Sequence, residues 1–177
     1  MGLSFRSLFF CLALCALALP ARADAALAAR DALRATARDV FTVQAADDST
    51  LYVRQWPQTG ARRASLLVIH GIGFDAAPYR VISTALAPRG IAVYVLDLRN
   101  HGLSDGRRGF LAPVETNAAD IRAALAAIRR GAPDCPLFLL GESLGGLEAL
   151  GAAALLPEAD RGLIDGLILV APALAPN

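Results

Sequence analysis

With 177 residues, 55% of them hydrophobic and 19% charged, the chain reads as one globular domain with a sizeable core. Formal net charge is +1, and all 17 basic residues are arginines dispersed along the chain, as in Arg62-Arg63, Arg107-Arg108 and Arg129-Arg130. Such pairs read as solvated surface, and there is no basic stripe to bind nucleic acid.

The amino end differs from the rest. Arg6 supplies a positive n-region, Leu8 to Leu19 is a nearly unbroken apolar run, and Pro20-Ala21-Arg22-Ala23 offers an Ala-x-Ala cleavage site. This pattern predicts a secretory signal peptide over residues 1–23, cleaved after Ala23, and a secreted or periplasmic location. The run is too short for a comfortable membrane span, which argues against an uncleaved anchor. Cys11 and Cys15 fall inside it, and neither follows the small residue that lipoprotein cleavage requires. Cleavage leaves Cys135 as the only cysteine and excludes an intrachain disulfide. Between Asp134 and Pro136, Cys135 reads as a small filler, since no spare histidine is at hand to activate it.

Residues 24–39 are Ala-rich with interspersed Arg and Asp, a leader or short helix ahead of the domain at 40–177. Val40–Gln44 and Leu51–Trp56 read as an antiparallel hairpin around the turn chemistry of Asp47-Asp48-Ser49. Pro57–Ala64 is a loop. Leu66–Ile69 is a continuously apolar strand. Over Tyr79–Pro88, Val81, Ile82, Ala85 and Leu86 recur at helical spacing, with Pro78 at the start and Gly90 past the end. Ile91–Leu96 is a second buried strand. Val114, Ala118, Ile121, Leu125 and Ile128 form one face of a helix that Gly131 ends. Leu137–Leu140 is a strand, a helix follows Ser143, and Leu167–Val170 is a fourth apolar strand. Strands apolar on both faces, alternating with amphipathic helices, predict an α/β fold with a mostly parallel sheet, the amino-terminal hairpin and helices on both faces. Sites in such sheets form at the carboxyl ends of the strands. Both Ser143 and the loop His70-Gly71-Ile72-Gly73 lie at such ends.

Gly141-Glu142-Ser143-Leu144-Gly145-Gly146 joins a strand to a helix. A Gly-x-Ser-x-Gly turn there is a nucleophile elbow, in which a strained serine backbone leaves no room for side chains two residues to either side. The alternative is a Gly/Ser turn without chemistry, but both flanks fit the elbow. Acyl transfer needs rigid amide donors for the oxyanion. The amide of Leu144 is one natural donor. Gly71 and Gly73 let the upstream loop turn toward the serine and make the amide of Ile72 the second. His70 heads this loop and reads as a residue that pins it by hydrogen bonds, with a general base as the alternative.

His70-Gly71-Ile72-Gly73 with Tyr79, Val95-Leu96-Asp97-Leu98-Arg99-Asn100-His101-Gly102-Leu103-Ser104-Asp105-Gly106, the elbow, and Leu169-Val170-Ala171-Pro172-Ala173-Leu174 resemble the α/β-hydrolase superfamily. Within it they resemble the monoacylglycerol lipase/lysophospholipase branch, also called serine aminopeptidase S33 or hydrolase 4, from about Phe41 onward. The resemblance implies Ser143 as nucleophile, the amides of Ile72 and Leu144 as oxyanion hole, Asp97 as cap of a strand end and His101 as brace of the next loop. It implies a small acyl ester or lipid as substrate and a transient contact with a membrane surface. Phe74-Asp75 stands where the branch frequently has Glu-His, which weakens transfer of substrate preference.

In the family the acid and the histidine base follow the strand corresponding to Leu167–Val170, as does the lid. This sequence holds two histidines, His70 and His101, both upstream of Ser143. The expectation is therefore the amino-terminal part of a hydrolase, with a nucleophile whose acid and base lie outside this chain. A truncated non-catalytic chain, or a peptidase or thioesterase of the same fold, are the alternatives. Asp105, Asp120, Asp160 and Asp165 read as solvated charges rather than substitutes, and Glu142 as a residue that shapes the elbow. A sheet ending at Leu167–Val170 would leave an apolar edge and uncovered helix faces, which predicts aggregation. No metal or other cofactor is implied, because there is no Cys/His cluster and no Gly-x-Gly-x-x-Gly after a strand. The oligomeric state is left open.

Overall fold

A computed structural model describes residues 27–174 of the chain. The expected signal peptide, its cleavage site, and Cys11 and Cys15 lie outside the described residues. The chain divides between Arg38 and Asp39 into two units. In the first, residues 27–36 form a helix (α1), with Leu27 and Leu33 exposed and Asp31 paired to Arg34.

The second unit is a six-stranded sheet of order β1-β2-β4-β3-β5-β6. The strands are β1 (Val40–Gln44), β2 (Thr50–Trp56), β3 (Ala64–Ile69), β4 (Ile91–Leu96), β5 (Leu137–Glu142) and β6 (Gly166–Val170). β1 and β2 form the hairpin, with Val43 opposite Leu51. In its turn Asp48 adopts φ 63°, and the Ser49 amide donates to Asp47 Oδ1 at 3.2 Å. β2 meets β4 antiparallel, whereas β4–β3, β3–β5 and β5–β6 are parallel. Each parallel crossover carries its chain over one face of the sheet.

The helices are α2 (Arg80–Leu86), α3 (Val114–Gly131) and α4 (Leu144–Leu155). On one face Leu67, Ile69, Leu96, Leu137 and Leu139 pack against Ile121, Leu125 and Ile128 of α3 and Ala149 and Ala152 of α4. On the other, Leu66, Val68, Val93 and Val95 pack against Tyr79, Ile82 and Leu86 around α2. The continuously apolar strands are thus covered on both sides. β6 ends the order, pairing only with β5 among the described residues, and its Ile168 and Val170 are 41% and 44% exposed.

Three expectations are corrected. Val81, placed on the apolar face, is 72% exposed, and Ala85 is exposed too, while Ser83 turns inward. The reason is that α2 lies between 3₁₀ turns at Ala77–Tyr79 and Ala87–Arg89, each holding a proline. Their three-residue period rotates the face away from a continuous 3.6-residue pattern. Asp120 is not solvated. Its side chain is 2% exposed and accepts two hydrogen bonds from Arg99, from Nε and Nη2, both at 2.9 Å. Arg99 also reaches Asp47, so one guanidinium ties α3 to the hairpin turn. Arg129 is likewise no free surface charge: it spans the Cys135 and Leu163 carbonyls and Asp165.

Truncating the core residue Leu125 to Ala should cost about 2–5 kcal/mol, against less than about 0.5 kcal/mol for Val81→Ala. Urea unfolding of the two variants measures the contrast.

Candidate active site

β5 runs straight into α4, and Ser143 is the joint. Its backbone sits at φ 53°, ψ −117°, a region that side-chain-bearing residues seldom occupy. Four hydrogen bonds hold it there. The Ser143 amide donates to the Val170 carbonyl at 3.0 Å. The Ser143 carbonyl accepts from the amides of Gly146, Leu147 and Ala173 at 3.0, 3.3 and 2.9 Å. Two glycines make the turn geometrically allowed. A Cβ on Gly141 would lie 2.1 Å from the Gly145 carbonyl oxygen, and one on Gly145 would lie 2.1 Å from that of Ile69. Any side chain at either position collides with backbone that cannot yield.

The loop after β3 faces this turn. A Cβ built on Gly71 would be in ordinary contact with Ser143 Cβ, at 3.6 Å. Gly73 turns the loop at φ 76°, and the Ile72 side chain is 60% exposed. The Gly71 amide is already engaged: it donates to the Tyr79 hydroxyl at 3.1 Å, which in turn donates to Glu142 Oε2 at 2.7 Å. Burial, and then the Glu142 carboxylate, push the Tyr79 phenol up to about 12, so it remains a donor. Glu142, beside the serine, is thus committed to orienting the loop. This Gly71–Tyr79–Glu142 chain was not legible in the sequence, because it joins residues from β5 and the turn before α2.

His70 is fully buried. Its Nε2 accepts from the Leu98 amide at 3.1 Å, which leaves the proton on Nδ1, donating to the Gly71 carbonyl at 2.9 Å. Burial holds the ring neutral, its pKa lowered to about 4. With both nitrogens occupied it cannot serve as a base. His101 lies with its ring centroid 5.1 Å from that of His70, and its Nδ1 contacts the Arg99 carbonyl at 3.0 Å. Asp97 is 4% exposed and accepts from the Ala76 amide at 2.7 Å and the Leu103 amide at 2.8 Å, clasping the loops after β3 and β4. Burial pushes its carboxyl up, and those two amides counter the shift. Among the described residues, no side chain hydrogen-bonds Ser143 Oγ.

Beside the Ile72 loop opens a cavity of about 330 Å³ lined by Ile72, Phe74, His101, Arg108, Phe110 and Leu111. Ser143 is not among its lining residues. Arg107 stacks over Phe110 at 3.9 Å. No periodic pattern marks residues 107–113 in the sequence. Among the described residues, no group of three or more His, Cys, Asp or Glu side chains could hold a metal ion.

A mixed sheet of this order, a strained serine between β5 and α4 and a glycine loop facing it define an α/β hydrolase. The match to the serine aminopeptidase S33 family covers residues 60–177, and the chain belongs to that family. Human monoglyceride lipase is 31% identical over 133 residues, 75% of this chain and 42% of the lipase. Caffeoylshikimate esterase of Arabidopsis thaliana is 36% identical over 97 residues, 53% of this chain and 29% of the esterase. A Bacillus coagulans carboxyl esterase solved with glycerol superposes with a TM-score of 0.63 at 21% identity, over 73% of this chain and 43% of the esterase. The chain thus spans about two fifths of the length of the monoglyceride lipases it matches.

Removing the phenol in Tyr79→Phe strands the Gly71 amide and should cost roughly 1–3 kcal/mol in a urea titration. His70 gives a pH signature. An imidazole at about 4 when folded and 6.5 when unfolded contributes stability in full above pH 6.5, lost as pH falls toward 4. Wild type should therefore lose roughly 3 kcal/mol more than His70→Gln over that window, read from paired unfolding curves.

Proposed function

We propose that the chain carries the nucleophile half of a hydrolase of carboxylic esters, of the monoacylglycerol lipase or lysophospholipase kind, working through a Ser143 acyl-enzyme. The carrying observation is the Ser143 backbone at φ 53°, ψ −117° at the head of α4, facing Gly71. That conformation lifts the hydroxyl off the strand end, next to the positive end of the helix dipole. In this reading Ser143 Oγ attacks the acyl carbon, the Oγ–H proton passes to a base, and the carbonyl oxygen becomes an oxyanion. The amides of Ile72 and Leu144 receive it. Gly71, Gly73, Gly141 and Gly145 give the backbone room, while His70, Tyr79 and Glu142 hold the loop against the serine.

The base is the missing part. Both imidazoles of the sequence have hydrogen-bonding duties around Gly71 and Arg99. A serine without its base keeps only the catalysis that the oxyanion hole and binding supply. This favours a second reading for the chain by itself, a folded but nearly inactive hydrolase part. The substrate class proposed is a small acyl ester or lipid, met at a membrane surface, in a secreted or periplasmic setting with residues 1–23 removed. Human monoglyceride lipase and the Arabidopsis esterase support ester chemistry for the family.

Hydrolysis of p-nitrophenyl butyrate tests both points. Wild type should be slow but faster than Ser143→Ala, and added imidazole should raise the wild-type rate while leaving Ser143→Ala unmoved. Equal rates for the two proteins would end the assignment of Ser143.

A further inference from the structure

Glu148 has no role in the elbow, yet it is the single acid of α4 and is 3% exposed. It sits one helical turn beyond Leu144, on the side of α4 that packs against α3. Asn117, in the first turns of α3, is also 3% exposed and hydrogen-bonds the Glu148 carboxyl. Two atoms of this pair are left over. Glu148 Oε2 and Asn117 Oδ1 are both buried without a hydrogen-bond partner. While the carboxyl is ionised both are acceptors, and neither can answer the other. Native structures seldom leave buried polar atoms of this kind unanswered.

A single proton removes the difficulty. A carboxylic acid and a primary amide are complementary, each offering one donor and one acceptor side by side. We propose that Glu148 is held as the neutral acid, its Oε2–H donating to Asn117 Oδ1 while Asn117 Nδ2–H donates to Oε1, so that a proton-bridged pair ties the helix bearing the candidate nucleophile to α3.

The surroundings favour the neutral form. Burial pushes the Glu148 carboxyl up, and the negative charge of Glu115 on α3 pushes it the same way. Only the Asn117 bond opposes them, and no cation is among the groups acting on it. On α3, Asp120 is consumed by Arg99 and Arg122 by Asp160. Of the strands beneath α4, β3 and β6 carry no titratable side chain. β5 has Glu142, which alternates with Phe138 and Leu140 onto the opposite face and binds Tyr79. α4 itself has no charge besides Glu148.

Ionisation would send the Oε2 proton to solvent and set two acceptors against each other in the seam. The sign follows. The pair is intact below 4.5, the ordinary glutamate value, and its contribution declines as pH rises from there through the higher folded-state value. The seam between α3 and α4 therefore weakens toward alkaline pH, opposite in direction to the effect of His70.

Carbon-detected NMR of the ¹³C-labelled chain tests this, since the sequence has four glutamates, 115, 142, 148 and 158, whose side-chain carboxyl carbons are few enough to follow singly. One resonance, identified by its absence from Glu148→Gln, should keep its protonated position after the other three have titrated. Glu148→Gln should fold as wild type does, because its amide supplies N–H where the acid supplies O–H. For each unit by which the Glu148 pKa is raised, the wild-type folding constant should fall about tenfold relative to Glu148→Gln across the rise in pH. Four carboxyl resonances titrating together in the ordinary range would overturn the proposal. So would a Glu148→Gln variant as unstable at neutral pH as Glu148→Ala, or parallel pH profiles for wild type and Glu148→Gln.

Discussion

The molecule turns on a close approach of backbone to backbone. The start of α4 presses against the end of β3 so tightly that position 145 has no room for a Cβ, and position 141 has none against the same helix start. Everything at the candidate site inherits its position from that contact. It sets the serine opposite Gly71, where an added Cβ would just touch Ser143 Cβ, and it fixes where α4 leaves the sheet. The small residues that follow, Gly146, Ala149 and Ala152, are buried and let the helix lie close to its neighbours. A Cβ at Gly151 would meet Val114 Cγ2 at 2.7 Å, so the same economy of side chain governs the contact with α3.

Around this contact the polar groups are used to hold loops rather than to react. His70 gives one nitrogen to the Gly71 carbonyl and the other to the Leu98 amide, joining the loop after β3 to that after β4. Asp97 repeats the linkage with the Ala76 and Leu103 amides. Tyr79 adds a third tie, from the Gly71 amide to Glu142. A loop anchored at both its amide and its carbonyl has little conformational freedom left to lose. The charged ties differ in kind. Arg99 is half of a buried ion pair with Asp120, a group that destabilises strongly if its partner is removed.

Much of this was legible in the residues. The apolar runs gave β3, β4, β5 and β6 to within two residues, and for β3 and β4 the reason is that a strand buried on both faces has no other composition open to it. The periodicity of α3 placed Ile121, Leu125 and Ile128 in the core where they are found. The elbow and its facing loop could be read because glycine spacing at a strand end reports a steric requirement directly. What could not be read is non-local. Nothing near Leu51 or Val93 announces that β2 lies beside β4 and not β3. Asp120 reads as a solvated helix charge because its partner Arg99 is remote in sequence, and Val81 reads as buried because helical spacing does not report the 3₁₀ turns on either side of α2. The pairing of Asn117 with Glu148 is non-local in the same way, since the two residues lie on separate helices.

The serine turn is completed from far along the chain. Its amide bonds Val170, the last residue of β6, and its carbonyl bonds Ala173 just beyond, with Ala171 between them at φ 42°. A ribosome delivers those residues after the sheet from β1 to β5 and the helix α4 have already emerged. Until then the strained conformation at Ser143 lacks two of its four backbone partners, and the relaxed alternatives of that residue compete with it on better terms. Maturation of the elbow is therefore a late event in vectorial synthesis, set by the arrival of the sixth strand rather than by the turn's own sequence.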